Sequence, residues 1–286
     1  MPVLNPGVLA REYARGEAVP VVFDSPHSGR SYPADFGHAA DALPLRRAED
    51  AYVEELYAAA PAHGATLIHA LFPRSYIDPN RGEDEIDQGM LDAPWPQPLC
   101  ASAKTELGLS LIWRLYAPDK PMYARRLSVA EVERRIARYY RPYHDEVGAA
   151  CDDLHARCGA VWLVDCHSMP SMGNAMSSDN GKPRPDFTVS DRMGTTCAPE
   201  FLRLVVDSLR GYGYDLRVND PYQGAELIRR HGRPAERRES LQIEVNRKLY
   251  MVDEETIARH AGFARLQAHL SELVQAICAY ARSASG

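Results

Sequence analysis

Two stretches of this chain run apolar for several residues and then stop on a histidine. Val21-Val22-Phe23 leads into Asp24-Ser25-Pro26-His27-Ser28-Gly29-Arg30, and Val161-Trp162-Leu163-Val164 leads into Asp165-Cys166-His167-Ser168. β-Branched and aromatic side chains favour the pleat, and Pro26 cannot continue it. The pattern therefore predicts buried strands over 19–23 and 161–165, each delivering a histidine at its carboxyl end. In open α/β sheets ligands bind outside those ends, so the two histidines can share one ligand.

Elsewhere the spacing of apolar positions alternates between helix and strand. Over 49–60, Val53, Leu56, Tyr57 and Ala60 share one helical face, which predicts a helix with Asp50 in its first turn. Strands are expected at 66–71, 75–78, 109–115, 187–190, 214–218 and 241–245. Ser128 with Glu131 forms a capping-box signature that opens a long amphipathic helix over 129–155, which Pro142 should kink or break. Further helices are expected at 199–211 and 254–282. The acidic, proline-rich segment 82–98 reads as an exposed excursion and the glycine- and serine-rich segment 168–185 as a loop. No solenoid repeat is present. The alternation predicts a single three-layer α/β/α domain with a mixed sheet over 1–286.

Composition narrows the function classes. A chain of 286 residues with 45% hydrophobic residues can bury a large core without disulfide staples. A net charge of -6 offers no concentrated basic face, which argues against nucleic acid or an anionic membrane surface as partner. The first residues show no basic segment leading into an apolar one, and no later run is long enough to span a bilayer, so a soluble, cytoplasmic protein is expected. The six cysteines lack paired-knuckle spacing, which predicts reduced thiols; Cys166 reads as a small buried filler.

His27, Asp50 and His167 are a candidate metal set, because catalytic zinc takes three nitrogen or oxygen ligands and keeps a position for water. The alternative for either histidine is a hydrogen-bonded structural role. For Asp50 it is an acid complementing a helix dipole, and on the residues alone that reading stands. Two histidines in Ser-Pro-His-Ser-Gly and Asp-Cys-His-Ser contexts favour the metal.

A series of motifs then adds to this picture. Ser25 to Arg30, the Glu49-Asp50-x-x-Val53 segment, Ser75-Tyr76-Ile77-Asp78-Pro79-Asn80-Arg81, Val164-Asp165-Cys166-His167-Ser168-Met169 and Leu241-Gln242-Ile243-Glu244-Val245-Asn246-Arg247 together resemble the N-formylglutamate amidohydrolase (N-formylglutamate deformylase) family. Tyr140-Arg141-Pro142-Tyr143-His144, Asp186 to Arg192 and Asn219-Asp220-Pro221-Tyr222 support the resemblance, which runs in order over about residues 21–254. It implies a zinc-carboxypeptidase-like (phosphorylase/hydrolase-like) fold and about one Zn2+ per chain. The carboxypeptidase His-x-x-Glu pair is absent, since Arg30 stands three beyond His27. The family pattern points instead to Asp50, with Glu49 as the neighbouring alternative, and to Asp24 or Asp165 as orienting acids.

By the same resemblance Glu244 is the general base, and its apolar neighbours Leu241, Ile243 and Val245 should raise its pKa. Arg74 is implied to stabilise the oxyanion, Asn80 and Arg81 to hold a substrate carboxylate, and Tyr222 to line the substrate site. Arg184, Arg192 and Arg247 are candidates for a second carboxylate. The expected reaction is hydrolysis of a small N-acyl amino acid, N-formyl-L-glutamate, to formate and L-glutamate, as in the last step of histidine degradation. Loops such as 168–185 would set which acyl group is taken.

Overall fold

The computed structural model describes residues 3–285. Two short strands, β1 (Val3–Asn5) and β2 (Leu9–Glu12), precede β3 (Val21–Ser25), the first of the predicted strands. Helices α1 (Ala42–Arg47) and α2 (Val53–Leu56) lead to β4 (Thr66–Ala70), and α3 (Ala103–Glu106) to a small hairpin of β5 (Leu115–Ala117) and β6 (Lys120–Pro121). Helices α4 (Val129–Arg135) and α5 (Arg141–Cys158) precede β7 (Val161–Met169) and β8 (Phe187–Ser190). The order then runs α6 (Pro199–Gly211), β9 (Leu216–Val218), α7 (Glu226–His231), β10 (Arg238–Asn246) and α8 (Gly262–Ala284).

Eight strands form one sheet in the order β1-β2-β4-β3-β7-β10-β8-β9. The central four are parallel, whereas β2 joins β4 and β8 joins β10 antiparallel, so the expected mixed sheet is present. Side chains alternate across the sheet, and the two faces bury different cores. Val21, Phe23, Trp162, Val164, Cys166, Leu241, Ile243 and Val245 meet α2, α6 and α8 on one face, where Cys166 is the buried filler expected. Val22, Val161 and Leu163 pack on the other with α4, α5 and the segment around Phe72, Tyr76 and Ile112. Helices therefore cover both faces, which gives the three layers. Among the described residues no helix is long and apolar enough to cross a membrane.

Several boundaries depart from expectation, each because a tertiary bond replaced a local one. The helix expected over 49–60 is only α2, followed by a 3-10 turn at Ala60–His63. The Asp50 N–H donates to the His27 carbonyl at 3.0 Å and Tyr52 takes a left-handed φ of 70°, so no helical ladder starts before Val53. Segment 75–78 is buried but not a strand; the Asp78 N–H bonds the Leu111 carbonyl and Arg135 bonds the Tyr76 carbonyl singly. The strand expected at 109–115 reduces to a Leu109–Trp113 bridge before β5.

The helix at 129–158 accommodates Pro142 through a π turn at Ile136–Tyr140, which shifts the hydrogen-bond ladder where proline cannot donate. Ser128 caps α4 by accepting from the Glu131 N–H, but the Glu131 carboxylate turns to Arg125 and Arg135 and leaves the box half made. The closing helix starts at Gly262 because 251–259 folds back on itself through a Met251–Arg259 bridge. β7 runs four residues past its expected end, so His167 lies within a strand and only His27 follows one.

Candidate active site

Period-2 alternation builds most of the site. Residues two apart on a strand share a face, so the rows that bury Val22 and Leu163 continue as Asp24, then Asp165 and His167, with Gln242 and Glu244 beside them on β10. Register sets these side by side: Asp24 against Asp165, Asp165 against Gln242, and His167 against Glu244. All are buried. Asp50 reaches the same place by its backbone bond to His27.

His27, Asp50 and His167 converge, with one ligand atom from each within 4.8 Å of the others. The Asp50 Oδ2 lies 3.4 Å from His27 Nδ1 and 3.0 Å from His167 Nδ1, and the imidazoles meet edge to face at 4.7 Å. The far nitrogen of each ring faces a carboxylate: His27 Nε2 is 2.7 Å from Asp78 Oδ1, and His167 Nε2 is 2.7 Å from Asp165 Oδ1. A carboxylate only accepts, so it keeps the proton on Nε2 and directs the Nδ1 lone pair to the shared point. His27 Nδ1 is buried and has no hydrogen-bond partner among the described residues. Two orphanable imidazole nitrogens and one carboxylate oxygen, each backed by an acid, suit zinc.

The surrounding charges favour a cation at this point. Burial alone would raise the Asp50 carboxyl, but the adjoining His167 and His27 imidazoles and the charge of Arg74 hold it well below its usual range. Burial would likewise raise Asp78, which Arg74, His27 and Arg81 outweigh. Arg247 fixes Asp50 from behind: it bonds Asp50 Oδ1 at 3.0 Å, the Glu49 and Arg47 carbonyls at 2.7 and 2.8 Å, and Ser168 Oγ at 3.1 Å. The Glu49 carboxylate points away, to Tyr32 at 2.5 Å and Arg46 at 3.6 Å. Of the two acids in the sequence motif, the structure brings Asp50 to the histidines.

Glu244 faces this cluster. Burial lifts its carboxyl to about 7, with Asp50 and Asp165 adding to the rise against the opposing pull of His167 and Arg74. Gln242 donates to Glu244 Oε1 at 2.9 Å and fixes its orientation. Arg74 bonds Asp78 Oδ2 through Nε and Nη2 at 3.2 and 2.9 Å, with Nη1 only 3.8 Å from Asp50 Oδ1. The Asn80 carboxamide is turned inward: Nδ2 donates to Asp165 Oδ2 at 3.3 Å and sits 3.1 Å from His167 Nε2, while Oδ1 accepts from the Leu227 N–H.

A cavity of about 1260 Å³ opens over these groups and takes in Arg81, Arg184, Arg192 and Tyr222 on its walls. Arg81 rests on the Leu109 and Asn80 carbonyls, and Arg192 on the Gly224 carbonyl. Arg184 grips Asp179 through two bonds and lies over the Tyr222 ring at 5.2 Å. Of the site residues expected from sequence, the three candidate ligands, Glu244, Arg74, Asn80, Arg81, Tyr222, Arg184, Arg192 and Arg247 border one cavity, whereas Glu49, Asp24 and Asp165 do not line it. Asp78 and Gln242 were not singled out although both stand inside quoted motifs; Gln242 is two before Glu244 and so shares its face. Lys104, also on the wall, carries no local signal.

The Tyr140-Arg141-Pro142-Tyr143-His144 motif proves to be scaffolding for the same loops. Tyr140 donates to the Arg81 carbonyl at 2.8 Å, Tyr143 to Asp24 Oδ2 at 3.1 Å, and His144 Nε2 lies 2.9 Å from the Pro79 carbonyl. Asn219 and the Tyr222 carbonyl are stitched to the end of β8 by Asp191 and Ser190.

The chain is similar to known proteins over most of its length. A crystal structure of N-formylglutamate amidohydrolase from Ralstonia eutropha JMP134 superposes with a TM-score of 0.92 at 47% identity, covering 98% of this chain and 100% of that one. The N-formylglutamate deformylase of Pseudomonas aeruginosa is 27% identical over 276 residues, 94% of this chain and 96% of its own. That of Pseudomonas putida is 28% identical over 237 residues, 81% of each. The family's sequence pattern matches residues 19–251, which hold every residue of the cluster, its backing acids and Glu244. The chain is thus a hydrolase, and it belongs to the N-formylglutamate amidohydrolase family.

Proposed function

We propose that the chain hydrolyses the formamide bond of N-formyl-L-glutamate to formate and L-glutamate, with one zinc ion held by His27 Nδ1, His167 Nδ1 and Asp50. The observation that carries this reading is the convergence of those three ligand atoms opposite a carboxylate raised to about 7, in a cavity walled by arginines. Zinc supplies Lewis-acid polarisation and lowers the pKa of bound water.

The chain's own residues do the rest. Glu244, buried and poised near neutrality, takes a proton from the attacking water and returns it to the leaving amine, so that one water is added across the bond. Arg74, anchored on Asp78 with Nη1 free of a hydrogen bond among the described residues, offers a donor to the developing oxyanion. Arg81, Arg192 and Tyr222 receive substrate, since a guanidinium pairs with a carboxylate through two parallel bonds. Asn80 and Arg247 act as positioning residues, because their polar atoms are committed to Asp165, the Leu227 N–H and Asp50. All six cysteines are unpaired, which supports a reducing, cytoplasmic setting, where the reaction fits the end of histidine degradation.

The test is a panel of kcat/KM values for N-formylglutamate, N-formylglutamine, N-acetylglutamate and a short peptide, with bound metal measured. N-Formylglutamate should be preferred. Arg81→Ala should lower its kcat/KM by about 30-fold or more, the cost of an unpaired carboxylate. Faster hydrolysis of the acetyl compound or the peptide would move the chain to a related zinc hydrolase with another substrate.

A further inference from the structure

Most cations on the cavity wall already have a carboxylate. Arg74 is paired with Asp78, Arg184 with Asp179 and Arg247 with Asp50. Lys104, on α3, is one of four wall cations, with Arg81, Lys120 and Arg192, that form no ion pair among the described residues. Among the described residues its ammonium meets only the Met176 carbonyl, at 3.5 Å, in the loop over 170–185 that also lines the cavity. Among the described residues neither Lys104 nor Arg81 forms an ion pair. The two side chains border one cavity, and Arg81 bonds only the Leu109 and Asn80 carbonyls. Half-buried like charges that converge without an anion between them are unfavourable unless a ligand supplies it.

The electrostatics agree with that geometry. Burial first, and then Arg81, Arg74 and Arg184, pull the Lys104 ammonium down to about 8 against the opposing pull of Asp179. Arg81 follows Asn80, which touches His167, whereas Lys104 reaches Met176 in the outer loop. Lys104 therefore borders the cavity between Arg81 and the loop over 170–185, within range of the charges of Arg74 and Arg184.

We infer that Lys104 is a specificity-determining residue that pairs with the distal carboxylate of the substrate, beside Arg81. The inference rests on the proposed N-formylglutamate activity and adds the group that separates an acidic side chain from its neutral isostere. A lysine suits this place, because a compact charge on a flexible stem can follow the end of a flexible side chain.

The experiment compares wild type, Lys104→Met, Lys104→Gln and Lys104→Arg on N-formyl-L-glutamate and N-formyl-L-glutamine, with zinc content and thermal unfolding measured for each. Binding of L-glutamate and L-glutamine, measured by calorimetry, gives a readout apart from turnover. Lys104→Met and Lys104→Gln should reduce the glutamate-to-glutamine preference by roughly 30-fold or more, mainly through KM. Lys104→Arg should recover part of it, and binding of L-glutamate should weaken in parallel. An unchanged preference in folded, zinc-loaded Lys104→Gln would overturn the assignment while leaving the activity intact. An equal loss on both substrates would also overturn it, by showing a structural role. A wild type with no preference for the acidic substrate would instead remove the proposed substrate, and the inference with it.

Discussion

The same three strands carry two opposite environments. On one face Phe23, Val164, Cys166 and Ile243 are wholly buried among α2, α6 and α8, and each large side chain withdrawn from water stabilises by about 1.5–3 kcal/mol. One residue along, on the other face, stand Asp24, Asp165, His167, Gln242 and Glu244, equally buried but polar or charged. Burying such groups costs several kcal/mol unless partners offset it. The first face supplies the stability that lets the second hold its charges out of water, so the site is rigid where it must align ligands and unfavourable where it must react.

Substitutions can break this division, beginning with the metal side. His167→Ala should remove most bound zinc and abolish turnover, as should His27→Ala, while both proteins stay folded because the opposite core is untouched. Metal analysis and circular dichroism check this, and normal metal content in both would sink the ligand set.

Glu244→Gln keeps the shape but removes the base. Turnover should fall by roughly two or more decades with zinc retained. Near-wild-type turnover would place the proton transfer on another group.

Across the sheet, Ile243→Ala alters the neighbour of Glu244 in sequence but opens a cavity in the other core. It should cost about 2–5 kcal/mol of stability and leave kcat within a few-fold. A loss of activity as large as that of Glu244→Gln would show that the two faces are not independent.

The smallest effect sharpens the comparison by reversing its sign. The Glu244 carboxyl rises from 4.5 to about 7 on folding, so its ionisation opposes folding. The penalty is absent below about pH 4.5, grows between 4.5 and 7, and is full above 7, at about 3 kcal/mol for this fully buried group. Metal-free Glu244→Gln should therefore melt higher than metal-free wild type at pH 8, and the gap should close by pH 4.5. A lower melting temperature at pH 8 would mean that Glu244 is held by favourable pairs instead.

What the sequence determined is what period and residue type determine. Apolar runs marked β3, β4, β7, β8 and β10, and the period of 3.6 marked α6 and the 129–158 helix, because burial of one face is written in local spacing. The two histidines and Glu244 were legible because each interrupts such a run or stands inside a distinctive motif. The motif pointed to Asp50 over its neighbour, but the physical reason for that acid is tertiary. Asp50 and Glu49 are adjacent and chemically alike, and the choice rests on the Asp50 N–H bonding the His27 carbonyl and on Arg247 bonding Asp50 Oδ1, partners 23 and 197 residues away. The same holds for Asp78 behind His27, for the inward turn of Asn80 and for Lys104 on the cavity wall. Local pattern reports which face a residue buries, whereas a site is made where distant segments exchange hydrogen bonds, and that information exists only once the chain has folded.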